Sequence, residues 1–149
     1  MAAYFAYGSD MDLVRLEARV GTVAVVGTAV LRGCELRFTV AAPGDALAGL
    51  PTLAPHRERS VWGVLYLLTP EQLTRLDQIE GLSERYRREP FRLRLATGDR
   101  LEAEVYLGTT HEEGRLPSRD YLAAMLVGAR EHGLPAAYRA RLERQATCD

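Results

Sequence analysis

Two short segments hold the residue types that could do acid–base chemistry. Glu80 closes the run Leu76-Asp77-Gln78-Ile79-Glu80 ahead of Gly81, at what reads as the C-terminal end of a helix. A carboxylate in that place opposes the helix dipole, and apolar neighbours penalise its charged form. Both effects push its pKa upward, the direction a general base needs to work near neutral pH. A solvated glutamate at a frayed helix end explains the same residues, and on composition alone that plainer account stays open. The second segment, Tyr7-Gly8-Ser9-Asp10, joins a strand to a helix. Such a turn presents backbone N–H groups that suit a carboxylate or a developing oxyanion.

Other chemistries find less support. Ser9 sits where a nucleophile elbow would place a serine, but the surrounding YGSDM is not G-x-S-x-G and no histidine is near. Capping its own helix is a sufficient role for it. His56, His111 and His132 are isolated from one another and from Cys34 and Cys148, and no CxxC occurs. No metal site is expected. His132 falls in the last turn of a helix, where a cation complements the dipole, and Cys34 reads as a small buried apolar residue.

The elements that must position these residues follow from periodicity and caps. Residues 2–7 read as a short buried strand, and Ser9 with Asp12 forms a capping box ahead of a helix over about 10–19 that Gly21 stops. Residues 22–40 read as two strands bent or turned at Gly27 and Gly33. Residues 42–59, with Pro43, Gly44, Gly49, Pro51 and Pro55, read as a long loop, and 60–68 as a central strand. Thr69, Pro70 and Gln72 start a helix that Gly81 ends. A hairpin over 86–96 and 101–107 comes next, followed by a helix from Ser118 to about His132 and a last helix begun by Pro135. The order β-α-β-β-β-α-β-β-α-α predicts an α+β fold: a small mixed or antiparallel β-barrel with flanking helices.

At 149 residues the chain fits one domain, 1–149. Its 19 basic residues are all arginine, which excludes a Schiff-base or P-loop lysine. A formal net charge of -1 argues against a nucleic-acid partner. No apolar run nears the roughly 18 residues of a membrane helix, and the N-terminus lacks the basic region of a signal peptide. The expectation is a cytoplasmic protein with no membrane partner.

Taken together, the segments resemble the γ-glutamylcyclotransferase-like family. Its opening Y-G-S-N is similar to Tyr4-Phe5-Ala6-Tyr7-Gly8-Ser9-Asp10-Met11, and its central strand to Val61-Trp62-Gly63-Val64-Leu65-Tyr66. Its L-D-x-x-E-G segment resembles 76–81 followed by Tyr86-Arg87-Arg88. The tail, Pro117 to Tyr121 and Gly128 to Pro135 with Tyr138, resembles the family's γ-glutamyl dipeptide branch. The resemblance implies a cofactor-free intramolecular aminolysis of a γ-glutamyl substrate to 5-oxoproline, with Glu80 as the general base. It further implies that Tyr7, Gly8, Ser9 and Asp10 cradle the glutamyl group, with Tyr121 and Tyr86 beside it, and it leaves a homodimer open. A γ-glutamyl-protected secondary metabolite is the alternative substrate, and a non-catalytic ligand-binding protein the alternative class. Arg57, Arg59, Arg87 and Arg88 are candidates to approach the site, where a guanidinium could pair with a substrate carboxylate. One departure stands out: the family's Asn is Asp10 here. A carboxylate only accepts hydrogen bonds, and a role capping the adjacent helix would make the exchange nearly neutral.

Overall fold

A computed structural model describes residues 1–149. Five strands close into a barrel in the order β1-β3-β2-β4-β5. β1 (Ala2–Ala6) runs antiparallel to β3 (Gly49–Leu68), with Phe5 opposite Leu65. β3 pairs along most of its length with β2 (Ala24–Ala41), and β4 (Tyr86–Leu95) forms a hairpin with β5 (Arg100–Gly108). Closure is by two narrow seams, Ala29 and Val30 of β2 against β4, and a single parallel pairing of Tyr4 on β1 with Glu104 on β5. The sheet is mixed, as the sequence predicts.

The helices are where their caps put them. α1 (Leu13–Val20) ends at Gly21, and α2 (Pro70–Glu80) starts on a Thr69–Gln72 capping box and ends at a left-handed Gly81. α3 (Arg119–Glu131) is capped by the Ser118 side chain, and α4 (Ala136–Glu143) begins after Pro135. Between β1 and α1 the chain makes one 3-10 turn over Ser9–Met11. The expected capping box does not form there. Asp12, not Ser9, caps α1 by accepting from Val14 N, because the 3-10 turn shifts the helix start downstream.

Two strand expectations need correction. Residues 24–41 form one strand rather than two: Gly27 and Gly33 sit at positive φ beside β-bulges that bend the strand without ending it. The expected loop over 42–59 shrinks to the turn between β2 and β3, since β3 begins at Gly49. Pro51 and Pro55 fit the strand because the register slips at both places, between the pairs Val40–Leu50 and Arg37–Thr52 and again between Arg32 and Cys34. A bulge leaves a backbone N–H out of the ladder, which is where a strand tolerates proline.

Thirty buried residues form one apolar cluster running from the barrel interior into the helices. Phe5, Val64, Leu65 and Tyr66 are among its fully buried members on β1 and β3, with Tyr66 reaching the 3-10 turn through Asp10 O and Met11 O. Leu16, Leu76, Met125 and Leu134 carry the core under the helices. Cys34 belongs to this core. Its thiol donates to Leu31 O, and burial pushes its pKa up to about 11. No helix is long and apolar enough to cross a membrane.

Candidate active site

The site begins where β1 runs out. Tyr7 to Asp10 continue from the strand into the 3-10 turn, which α3 pins from outside. A Cβ on Gly128 would lie 2.4 Å from Met11 O and 2.6 Å from Asp12 N, so only glycine lets the helix lie this close to the turn. The first turn of the same helix supplies Tyr121, whose backbone N–H is held by the Ser118 cap at 3.1 Å. Tyr121 Oη in turn accepts from Ser9 N at 3.1 Å. Its hydroxyl lies over Gly8, where a Cβ would come within 2.5 Å of it.

Glu80 arrives from the opposite side as the last residue of α2. Three residues earlier, Asp77 accepts from Tyr106 Oη at 2.6 Å and from Arg88 Nε and Nη2 at 2.8 and 3.0 Å. These bonds tie the end of α2 to β5 and β4 and fix the direction from which Glu80 enters. Tyr86 is held by donating to Pro51 O at 2.6 Å, and Tyr7 donates to Tyr106 O.

Tyr7, Gly8, Ser9, Asp10, Glu80, Tyr86 and Tyr121 all line one narrow cleft of about 30 Å³. The structure thus brings together the seven residues expected to catalyse or to cradle the substrate. Tyr4, Phe5, Pro51 and Tyr106 complete the lining. Burial holds the hydroxyls of Tyr4, Tyr7, Tyr86 and Tyr121 above the usual phenol range, so they remain protonated donors. Tyr121 accepts from Ser9 N, which leaves its own proton to donate.

The electrostatics centre on Glu80. Burial, reinforced by the Asp10 carboxylate, pushes its pKa up to about 7, against the lowering pull of Arg19 and Arg85. Its side chain is only 19% exposed. The solvated, frayed-end alternative does not describe this glutamate.

Three expectations about polar partners are revised. The Ser9 N–H is not an idle donor, since it already meets Tyr121 Oη. Asp10 does not cap a helix. It is 3% exposed, with Oδ2 accepting from Tyr4 Oη at 2.9 Å and Oδ1 from Arg19 Nη1 at 2.6 Å. Two donors facing it account for a carboxylate at this position. The four suggested arginines do not line the cleft. Arg57 is exposed on β3, Arg59 pairs with Glu35, Arg87 with Glu89, and Arg88 with Asp77 and Glu104. The arginine that reaches Glu80 is Arg19, with Nη2 3.3 Å from Oε1. In the sequence Arg19 is simply the last basic residue of an amphipathic helix, and nothing nearby marks it. Arg15, one turn earlier, lies over the Tyr121 ring at 5.9 Å from its centre.

The arrangement pairs a near-neutral carboxylate with a row of phenolic donors in one narrow cleft. Residues 60–142 match the model of the AIG2-like family. The chain belongs to that family. Among relatives of this AIG2-like chain is a human protein named gamma-glutamylcyclotransferase, 29% identical over 94% of this chain and 76% of its own length. A solved structure titled gamma-glutamyl cyclotransferase superposes with a TM-score of 0.92 at 28% identity, covering 99% of this chain and 89% of that one. The structure of YkqA from Bacillus subtilis superposes with a TM-score of 0.82 at 26% identity, covering 96% of this chain and 53% of that one.

Proposed function

We propose that the protein is a γ-glutamylcyclotransferase, converting a γ-glutamyl amino acid or amine to 5-oxoproline and the free amine. The observation that carries this reading is Glu80. It is a buried carboxylate with its pKa raised to about 7, set at the end of a slot lined by the Tyr7–Asp10 segment and Tyr121. The names borne by the relatives point the same way.

The substrate carries its own nucleophile. Its α-amine must lose a proton, and Glu80, ionised at and above neutral pH, accepts it. The amine then attacks the γ-carbonyl carbon, closing a five-membered ring and placing negative charge on the carbonyl oxygen. Donors available for that oxygen are Ser9 N–H, once Tyr121 gives it up, and the Tyr121 hydroxyl itself. Protonated Glu80 returns its proton to the leaving nitrogen, the carbon–nitrogen bond breaks, and 5-oxoproline departs. Because attack is intramolecular, bending the glutamyl chain into a near-attack shape supplies much of the acceleration. A narrow slot walled by Tyr86 and Phe5 suits that task. The reaction is redox-neutral and balances without a cofactor.

Incubation with a panel of γ-glutamyl dipeptides and γ-glutamyl amines, with 5-oxoproline measured, tests the reading. At least one member should turn over, and glutathione should react poorly. Binding of panel members without any 5-oxoproline would overturn the reading in favour of a ligand-binding protein.

A further inference from the structure

Two carboxylates line the cleft, Asp10 and Glu80. A substrate ammonium entering it would have a choice of base, and only one choice is productive. The geometry resolves the choice. Both oxygens of Asp10 are engaged, one by Tyr4 Oη at 2.9 Å and the other by Arg19 Nη1 at 2.6 Å. The second arm of the same guanidinium reaches Glu80 Oε1 at the longer distance of 3.3 Å. That leaves Oε2 of Glu80 as the carboxylate oxygen without a hydrogen-bond partner on the wall of the cleft.

We propose that Arg19 is the positioning residue for Glu80 and that Asp10 is its anchor: the guanidinium, locked at one end on Asp10, holds Oε1 and turns Oε2 toward the substrate amine. This rests on the cyclotransferase reading for its chemistry, but the clamp itself is a property of the unliganded protein. It also gives the Asp10 side chain a job other than gripping substrate. With each Asp10 oxygen already accepting one hydrogen bond inside the protein, its carboxylate is a poorer partner for a substrate ammonium than the free Oε2 of Glu80.

The surrounding elements support a fixed guanidinium. Arg19 lies in the last turn of α1, where a cation is favoured by the dipole. The end of α1 is itself held, since Gln72 Nε2 on α2 donates to Val20 O at 3.2 Å and Thr22 O at 2.8 Å. The helix carrying Glu80 therefore grips the helix carrying Arg19. The charged and titratable groups facing Glu80 are Asp10 from the 3-10 turn, Arg19 from α1, Arg85 from the turn before β4, and tyrosines from four elements. Those are Tyr4 of β1 with Tyr7 just after it, Tyr86 of β4, Tyr106 of β5 and Tyr121 of α3. Asp10 and Arg19 act on Glu80 in opposite directions. A positioning role can be separated from a purely electrostatic one on that basis.

The test uses the full chain and variants Arg19→Met, Asp10→Asn and the double variant, with two readouts. The first is NMR titration of the Glu80 side-chain carboxyl without substrate. Arg19→Met should move its midpoint up, and Asp10→Asn should move it down, each by about one pH unit. The second is steady-state 5-oxoproline release. Arg19→Met should lower kcat at least about tenfold with KM changed less than about threefold, and Arg19→Lys should recover part of the loss. The double variant removes both charges, so its buried site holds no orphaned carboxylate and its Glu80 midpoint returns near the wild-type one. Its kcat should stay as low as that of Arg19→Met. A double variant with wild-type kcat, or single variants that move the Glu80 midpoint in the same direction, would overturn the proposal. The titration needs no substrate, so it tests whether Arg19 and Asp10 act on Glu80 in the folded protein even if wild type forms no 5-oxoproline, the outcome that instead defeats the cyclotransferase reading.

Discussion

A carboxylate that titrates near neutrality is a burden on the fold that holds it. Glu80 has its pKa raised from 4.5 to about 7, so the native state prefers its protonated form. The stability this preference confers is complete below the ordinary carboxylate value and is lost as pH rises through about 7, where the native state must hold an ionised Glu80. By linkage the burden reaches about 3 kcal/mol once the group is fully ionised. Glu80→Gln, neutral at every pH, is therefore expected to raise Tm above wild type at pH 8 and to match it near pH 4. Differential scanning calorimetry at the two pH values checks this, and equal Tm differences at both would refute it. At this scale the sequence was informative wherever a functional residue sat at a capped boundary. Glu80 stands immediately before the glycine that ends α2, and Tyr7 to Asp10 stand where β1 ends, so local signals framed both. Arg19 and Tyr106 reach the site through side-chain bonds to Glu80 and Asp77, residues far away in the chain, and no local pattern announces such a bond.

The caps decided the helices, and the glycines misled about the strands. Thr69, Ser118 and Pro135 start helices as their local chemistry dictates. Gly27 and Gly33 read as breaks, and Pro51 and Pro55 as loop residues, because a bulge looks like a turn until the partner strand is known. The partner of residues 50–60 lies in 32–40, and this pairing turns most of an apparent loop into the first half of a 20-residue strand beside an 18-residue one. It also delivers Pro51 to the wall of the cleft, where its carbonyl holds Tyr86. The contact of α3 with the 3-10 turn is the element-scale feature most exposed to a single change. Gly128→Ala places a methyl within 2.4 Å of Met11 O, and the helix must retreat. A loss of about 2 kcal/mol is expected in urea unfolding, together with a raised KM as Tyr121 moves off Ser9. Unchanged stability would show that the helix can slide at no cost.

Across the whole molecule, the barrel gathers segments remote in the chain into one slot. The parallel seam between β1 and β5 sets Tyr7 beside Tyr106, the β4–β5 hairpin brings Tyr86, and the helices on the outside supply Glu80, Arg19 and Tyr121. The barrel with flanking helices was legible from the order of strands and helices, whereas which strands close it was not, because both seams rest on very few pairs. The 0.92 TM-score to a gamma-glutamyl cyclotransferase at 28% identity shows how far this scaffold tolerates sequence change. A fold alone does not specify chemistry, so the account stands on Glu80. The decisive measurement is the rate of 5-oxoproline formation from a reactive γ-glutamyl substrate across pH 5 to 9, for wild type and Glu80→Gln. The account predicts a wild-type rate that falls about tenfold per pH unit below a midpoint near 7. It also predicts a variant slowed by about 10³-fold that still binds substrate. A Glu80→Gln variant with the wild-type rate and the same acid limb would contradict it.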